Sequence, residues 1–231
     1  MPSGQPSPQP SAHAPLVLLD GDLPGLVALA SACESIALDI ESGHTSDRRG
    51  QADAQRVTAM LDYSAPDPDN ARLRAARSQA ERFGARWISE SGGAAPPAAE
   101  SGHARTLALL QAFGEAARRH STSVVWPIWQ GRLAGEGAPS LDAVATEMDR
   151  AELVTRLAGL DLTNAAASDA GGLFIETPYA DLDHASIADL SVDLDVPVGL
   201  AWWASSSIAQ AVRSAWDEAL RSAGYRGTLA Q

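Results

Sequence analysis

Short apolar runs alternating with stretches of helical periodicity constrain this chain more than any other feature. Leu16–Leu19, Arg86–Ser89, Ser123–Trp129 and Leu173–Thr177 read as strands. Pro127 and Pro178 mark the exits of the last two. Helical spacing follows in Leu26–Cys33, in Leu73, Ala76, Ala80 and Phe83 (closed by Gly84), and across Arg105–Arg119. It returns in Leu141–Leu157, with Val144, Met148 and Ala151 on one face, and in Ile187, Leu190 and Leu194, which stop before Pro197. Ile208, Val212, Ala215 and Ala219 form the last such series, capped by Gly224. Parallel strands need long crossovers, and helices of about ten to fifteen residues supply them. The expectation is an α/β fold: a largely parallel sheet with helices on both faces. Ile36–Ile40 reads either as a second strand or as a continuation of the first helix. The polar stretch 41–70 is given one helix, over about Ala52–Leu61.

At 231 residues, 45% hydrophobic and 20% charged, the chain has enough apolar surface for one substantial core. Residues 1–14 are rich in Pro, Ser and Gln and read as a disordered tail, and 15–231 as a single domain. Ser91–Gly102, rich in Gly, Ala and Pro, falls in a flexible loop over 90–103. The net charge of −12 repels phosphate backbones, so no nucleic-acid partner is expected. All 17 basic residues are arginine, which excludes any mechanism that needs a lysine amine. Cys33 is the sole cysteine, so an intrachain disulfide and a cysteine zinc site are excluded; it reads as a small core residue. No uninterrupted apolar run approaches the ~18 residues that a membrane span needs. The first residues lack the basic and apolar regions of a signal peptide. The expectation is a cytoplasmic protein with no membrane partner.

Ligands in parallel α/β sheets bind beyond the carboxyl ends of the strands. Three such ends offer candidates: Asp20-Gly21-Asp22, Trp126-Pro127 and Thr177-Pro178. Trp126 and Trp129 present rings that can stack a purine, against core packing as the plainer role. The histidines, His13, His44, His103, His120 and His184, show no metal-ligand spacing. Arg48, Arg49 and Arg56 are candidate phosphate contacts, although scattered arginines are by default a solvated face.

The run V-L-L-D-G-D-L-P-G-L-V-A-L-A at Val17–Ala30 resembles the pyrophosphatase loop of the N-type ATP pyrophosphatases, V-L-L-S-G-G-x-D-S-T-V-L-L. Downstream, Phe174–Ile187 (F-I-E-T-P-Y-A-D-L-D-H-A-S-I) is similar to a segment of the 7-cyano-7-deazaguanine synthase family. So are Val196-Pro197, Ala201-Trp202 and Ala219–Gly224 in their order. The resemblance spans about Pro15 to Tyr225 and omits 41–70. It implies a Rossmann-like, HUP-type fold (that of the adenine nucleotide α-hydrolases), a nucleotide loop at Asp20, Gly21, Asp22 and Gly25, and a ligand pocket near Trp126, His184 and Trp202. It also implies ATP and Mg²⁺ as candidate cofactors, a nucleotide or purine-like ligand, and pairing of two copies. The family chemistry, by resemblance, is ATP-dependent conversion of 7-carboxy-7-deazaguanine to its nitrile in queuosine biosynthesis.

The departures concentrate on that chemistry. Asp20 stands for the loop serine, Asp22 for the second glycine, Pro24 for the aspartate and Gly25 for the last serine. Pro24 removes a backbone N–H, and two carboxylates repel phosphate unless a cation lies between them. The family lysine falls on His184. The zinc cysteines fall near Ala204, Ser207, Gln210 and Arg213, so no zinc is expected; Trp202, Trp203 and Trp216 are candidates to fill its space. The expectation is a degenerate, non-catalytic relative. Two alternatives stand beside it. One is an enzyme of that family still active through unfamiliar residues. The other is a Mg²⁺-dependent phosphotransferase, since Asp20-Gly21-Asp22 resembles the start of the haloacid-dehalogenase pattern D-x-D-x-T/V. In the plainest reading Asp20 and Asp22 form an exposed turn that caps a helix. Ser91-Gly92-Gly93 looks like a loop core but leads into prolines, so it reads as linker.

Overall fold

A computed structural model describes residues 14–41, 56–64, 67, 69–88, 102–133, 141–162, 172–206 and 209–227. Five parallel strands form one sheet in the order β3-β2-β1-β4-β5. They are β1 (Leu16–Leu19), β2 (Thr58–Leu61), β3 (Arg86–Ile88), β4 (Ser123–Val125) and β5 (Phe174–Glu176). The α/β expectation holds. Every residue of the central strand β1 is fully buried, because both of its faces are covered. That is why it reads as an unbroken apolar run and not as an alternation. Leu16 to Leu19 pair in register with Thr58 to Leu61 of β2, and Leu16 and Val17 with Val124 and Val125 of β4.

Eight helices flank the sheet among the described residues: α1 (Leu23–Glu41), α2 (Ala71–Arg82), α3 (Gly102–Arg118), α4 (Gln130–Leu133), α5 (Leu141–Leu162), α6 (His184–Asp193), α7 (Trp202–Ser205) and α8 (Gln210–Ser222). One face packs under α1, α2, α6 and α8, around Val17, Leu19, Leu26, Leu29, Ile187 and Trp216. The other packs under α3 and α5, around Leu16, Leu18, Leu109, Val124 and Val154. The chain builds outward from β1 to β2 and β3, then returns to the opposite side of β1 for β4 and β5. The switch point therefore lies between β1 and β4, where the loops leaving two adjacent strands diverge and open a crevice.

Two local expectations are corrected and one open alternative is decided. Thr58–Leu61 is strand and not the end of a helix over Ala52–Leu61; residues 52–55 lie outside the described residues. A four-residue apolar run has no readable period, and pairing with β1 and β3 decided it. Ile36–Ile40 continues α1, since nothing between Cys33 and Glu41 breaks a helix. On α5, Met148 is half exposed, and the inward stripe is Val144, Glu147, Ala151 and Val154. Glu147 is accepted there because Arg105 and Arg150 ion-pair with it at 2.6 and 2.8 Å.

Helix α1 has 19 residues and, by length and composition alone, is apolar enough to cross a membrane. Its first eight residues, Leu23 to Ala30, are buried in the sheet face. Cys33 packs at the margin of that core, where burial pushes its thiol up to about 11.

Candidate functional site

At the carboxyl end of β1 the chain turns through Gly21, whose φ of 78° lies in the left-handed region. A Cβ there would stand 2.6 Å from the carbonyl oxygen of Arg72, so the position requires glycine on two counts. The turn delivers Asp20 and Asp22 to the first turn of α1. Both are buried, at 4% and 7% exposure, so the exposed-turn reading is corrected. The capping part of it is observed: Asp20 Oδ1 accepts from the N–H of Asp22 at 3.0 Å, and Asp22 Oδ1 from the N–H of Leu23 at 2.8 Å. Pro24, next in line, has no N–H to offer.

The amides at the start of a helix are its anion-binding groups. Here the chain's own carboxylates take two of them. The charges are answered from two other elements. The Asp20 carboxylate meets Arg72 of α2 at 3.3 Å and Arg132 of α4 at 3.2 Å. Arg132 also reaches Asp62 at 2.9 Å and donates to Ser64 Oγ at 2.8 Å. Asp62 follows β2 as Asp20 follows β1, and it accepts from the Trp126 indole at 3.3 Å and from the Ser64 N–H at 2.9 Å. Burial alone would raise the Asp62 carboxyl. The Arg132 charge, with the bonds from Ser64 and Arg132, outweighs burial and holds it below the usual range.

Asp22 differs. Burial first, and the Asp20 charge second, push its carboxyl up to about 6, against the opposing pull of Arg72 and of the Leu23 and Trp203 bonds. The Trp203 indole donates to Asp22 Oδ1 at 2.7 Å. Gln79, fully buried on α2, donates to the Gly21 carbonyl at 2.9 Å and to the Leu200 carbonyl at 3.2 Å. The Trp202 N–H bonds the Gly21 carbonyl at 2.8 Å, and its ring lies over the Arg72 guanidinium at 4.4 Å. The C-terminal segment thus closes down on the loop.

Of the residues singled out in the sequence, Asp20, Gly21, Asp22, Trp126 and Trp202 belong to this cluster. Trp126 does so as a buried hydrogen-bond donor, at 1% exposure. Gly25 sits inside α1, where a Cβ would meet the Leu19 side chain at 3.4 Å. His184 stands apart. Its ring lies 4.5 Å from that of Trp129 and 4.7 Å from that of Trp216, in an aromatic group that Trp203 joins by stacking on Trp216. His184 is the first residue of α6 and is half-buried there, not solvent-exposed. Burial lowers the His184 pKa despite Asp183 beside it. Trp202 faces Arg72 and stays out of this aromatic group, which is built from Trp129, Trp203 and Trp216. No group of three or more His, Cys, Asp or Glu suited to a metal occurs among the described residues.

The chain matches no family model, no curated protein and no solved structure.

Sequence reading missed Asp62, Ser64, Arg72, Gln79 and Arg132, and named Trp203 only as a filler of the zinc space. One signal for Asp62 was present: Leu61-Asp62 repeats the apolar-run-then-aspartate pattern of Leu19-Asp20. The arginines carried none, because no spacing relates α2 or α4 to the end of β1. Arg56 is exposed, and Arg48, Arg49 and Ser91-Gly92-Gly93 lie outside the described residues.

Proposed function

We propose that this chain is a non-catalytic relative of the 7-cyano-7-deazaguanine synthase family, in which the nucleotide loop has become a structural joint and function rests on binding instead of turnover. One observation carries the reading. The Asp20 and Asp22 carboxylates occupy the amides at the start of α1 that a phosphate would take. Arg72 and Arg132 are spent on Asp20 and Asp62. A polyphosphate entering here must displace buried carboxylates from hydrogen bonds and break ion pairs, and both are costly in a desolvated site. Purine stacking from the end of β4 is disfavoured as well, since Trp126 and Trp129 are both buried.

The Mg²⁺ phosphotransferase reading needs Asp20 and Asp22 to converge on one metal. In this arrangement Asp20 faces two guanidinium groups and Asp22 an indole N–H. The test is titration calorimetry with ATP, with and without Mg²⁺, alongside an assay for AMP and pyrophosphate. No heat up to millimolar ATP and no product are expected. Micromolar ATP binding that requires Mg²⁺ and is lost in Asp20→Ala/Asp22→Ala would overturn the proposal. It would restore a remodelled nucleotide site, with AMP release pointing to a ligase and phosphate transfer to the aspartate pair.

A further inference from the structure

The cover over the α1 face of the sheet is incomplete. Leu23 to Ala30 of α1 are buried, whereas Glu34, Ser35 and 37–41 in its second half are exposed. Between this half and the β4–β5 side of the sheet lies an open groove of about 360 Å³. That volume suits a small organic molecule. Side chains alternate along a strand, and Val124 and Ile175 pack into the opposite core. Ser123, Val125 and Glu176 are therefore presented to the groove, with Tyr179 beyond β5 and Ile36 and Ile40 from α1 forming its other walls.

Three polar groups in it lack partners among the described residues. Ser123 and Tyr179 are buried as residues, at 2% and 8% exposure, but their hydroxyl oxygens are not buried orphans and open onto the groove. Glu176 makes neither an ion pair nor a side-chain hydrogen bond. Glu176 is partly exposed on a groove that Ser31, Ser35, Asp39 and Thr122 also line, and a carboxylate without an ion pair there favours a cation. Burial pushes the Tyr179 phenol up to about 12, so it stays neutral and retains its lone pairs as acceptors. The Glu176 carboxylate, with hydroxyls on the same groove, offers oxygen acceptors to the N–H donors of a primary ammonium. Val125, Ile36 and Ile40 supply the apolar surface for the rest of such a molecule. The chain has no lysine to place there itself, and its net charge of −12 draws cations.

We propose that this groove binds a small organic primary amine, with the ammonium on Glu176 and the apolar body between α1 and β4. The site lies along the second half of α1, away from the loop at the start of that helix. It does not rest on the reading of that loop, and each can fail without the other.

The test uses the full chain and cyclohexylmethylamine as the probe, followed by saturation-transfer NMR and calorimetry. Cyclohexylmethanol and cyclohexanecarboxylate are the neutral and anionic controls. Saturable binding of the amine is expected, with the alcohol at least tenfold weaker and the carboxylate undetectable. Glu176→Gln should weaken the amine at least tenfold at an unchanged melting temperature, and Tyr179→Phe several-fold. Ser35→Trp, on the exposed wall of α1, should block the groove and abolish binding without touching the sheet. Failure of the amine to saturate, equal binding of amine and carboxylate, or full binding by Ser35→Trp would each overturn the proposal.

Discussion

Arg132 holds Asp62 at 2.9 Å, so a four-residue helix after β4 is tied to the end of β2 across the intervening end of β1. The same nitrogen contacts Asp20 at 3.2 Å, so one guanidinium joins the exits of three strands at the switch point. Both partners are buried, the arginine side chain at 9% exposure and the aspartate at 1%. Removing one member of such a pair leaves an uncompensated charge, which costs about 3–5 kcal/mol. Arg132→Met is expected to lower stability by that order in urea unfolding at pH 7, and adding Asp62→Asn to recover part of it. Asp62 has a depressed folded pKa, so its contribution is present above the unfolded value of 3.8 and fades as pH falls through the folded one. The deficit of Arg132→Met should therefore shrink in acid. A deficit independent of pH would mean that lost packing outweighs the ion pair.

Asp22 carries the opposite sign. Its folded pKa, about 6, lies above the unfolded 3.8, so the fold favours the protonated form and must ionise the group at a cost as pH rises through 6. At about 1.4 kcal/mol per unit the full shift corresponds to ~3 kcal/mol, and lost interactions of the charge reduce what a variant recovers. Asp22→Asn keeps an oxygen for the Leu23 and Trp203 donors and removes the charge. It is expected to stabilise the protein by about 1–3 kcal/mol at pH 7.5 and by nothing near pH 4. Chemical denaturation at the two pH values checks this. Equal effects at both would show that Asp22 does not titrate in this range.

His184 is held neutral by its aromatic surroundings. Its folded pKa lies below the unfolded 6.5, so the unfolded chain takes up the proton first and stability declines as pH drops through 6.5. His184→Phe retains a ring against Trp129 and Trp216 and has nothing to protonate. The wild type should lose melting temperature relative to His184→Phe between pH 7.5 and 5.5. Tryptophan fluorescence follows the same transition, because both indoles lie within 5 Å of the imidazole, centroid to centroid. Parallel pH profiles for the two proteins would remove the linkage.

Much of the frame is readable in the sequence. Apolar runs too short for helices, separated by stretches of period 3.6, admit little besides a parallel sheet with helical crossovers. Leu16–Leu19, uniformly apolar, already reads as a strand. Asp20-Gly21-Asp22 followed by Pro24 already places a turn and a helix start, because only a few residue types suit a left-handed turn or a first helical position. These are local properties, and the chain itself states them.

What each aspartate touches was not readable. Arg72 lies 52 residues from Asp20, Arg132 lies 112, and Trp203 lies 181 from Asp22. Nothing in spacing or composition couples residues so far apart; the order β3-β2-β1-β4-β5 does, by bringing the ends of β1, β2 and β4 side by side. The same holds for Thr58–Leu61, whose four residues became strand only by pairing. The groove beside α1 depends on how that helix lies against β4 and β5, which no window of sequence records. The sequence by itself determined the layers, the turn and the absence of lysine. The tertiary structure alone decided that the turn is neutralised from within, because burial and long-range contacts set the charge state of a carboxylate.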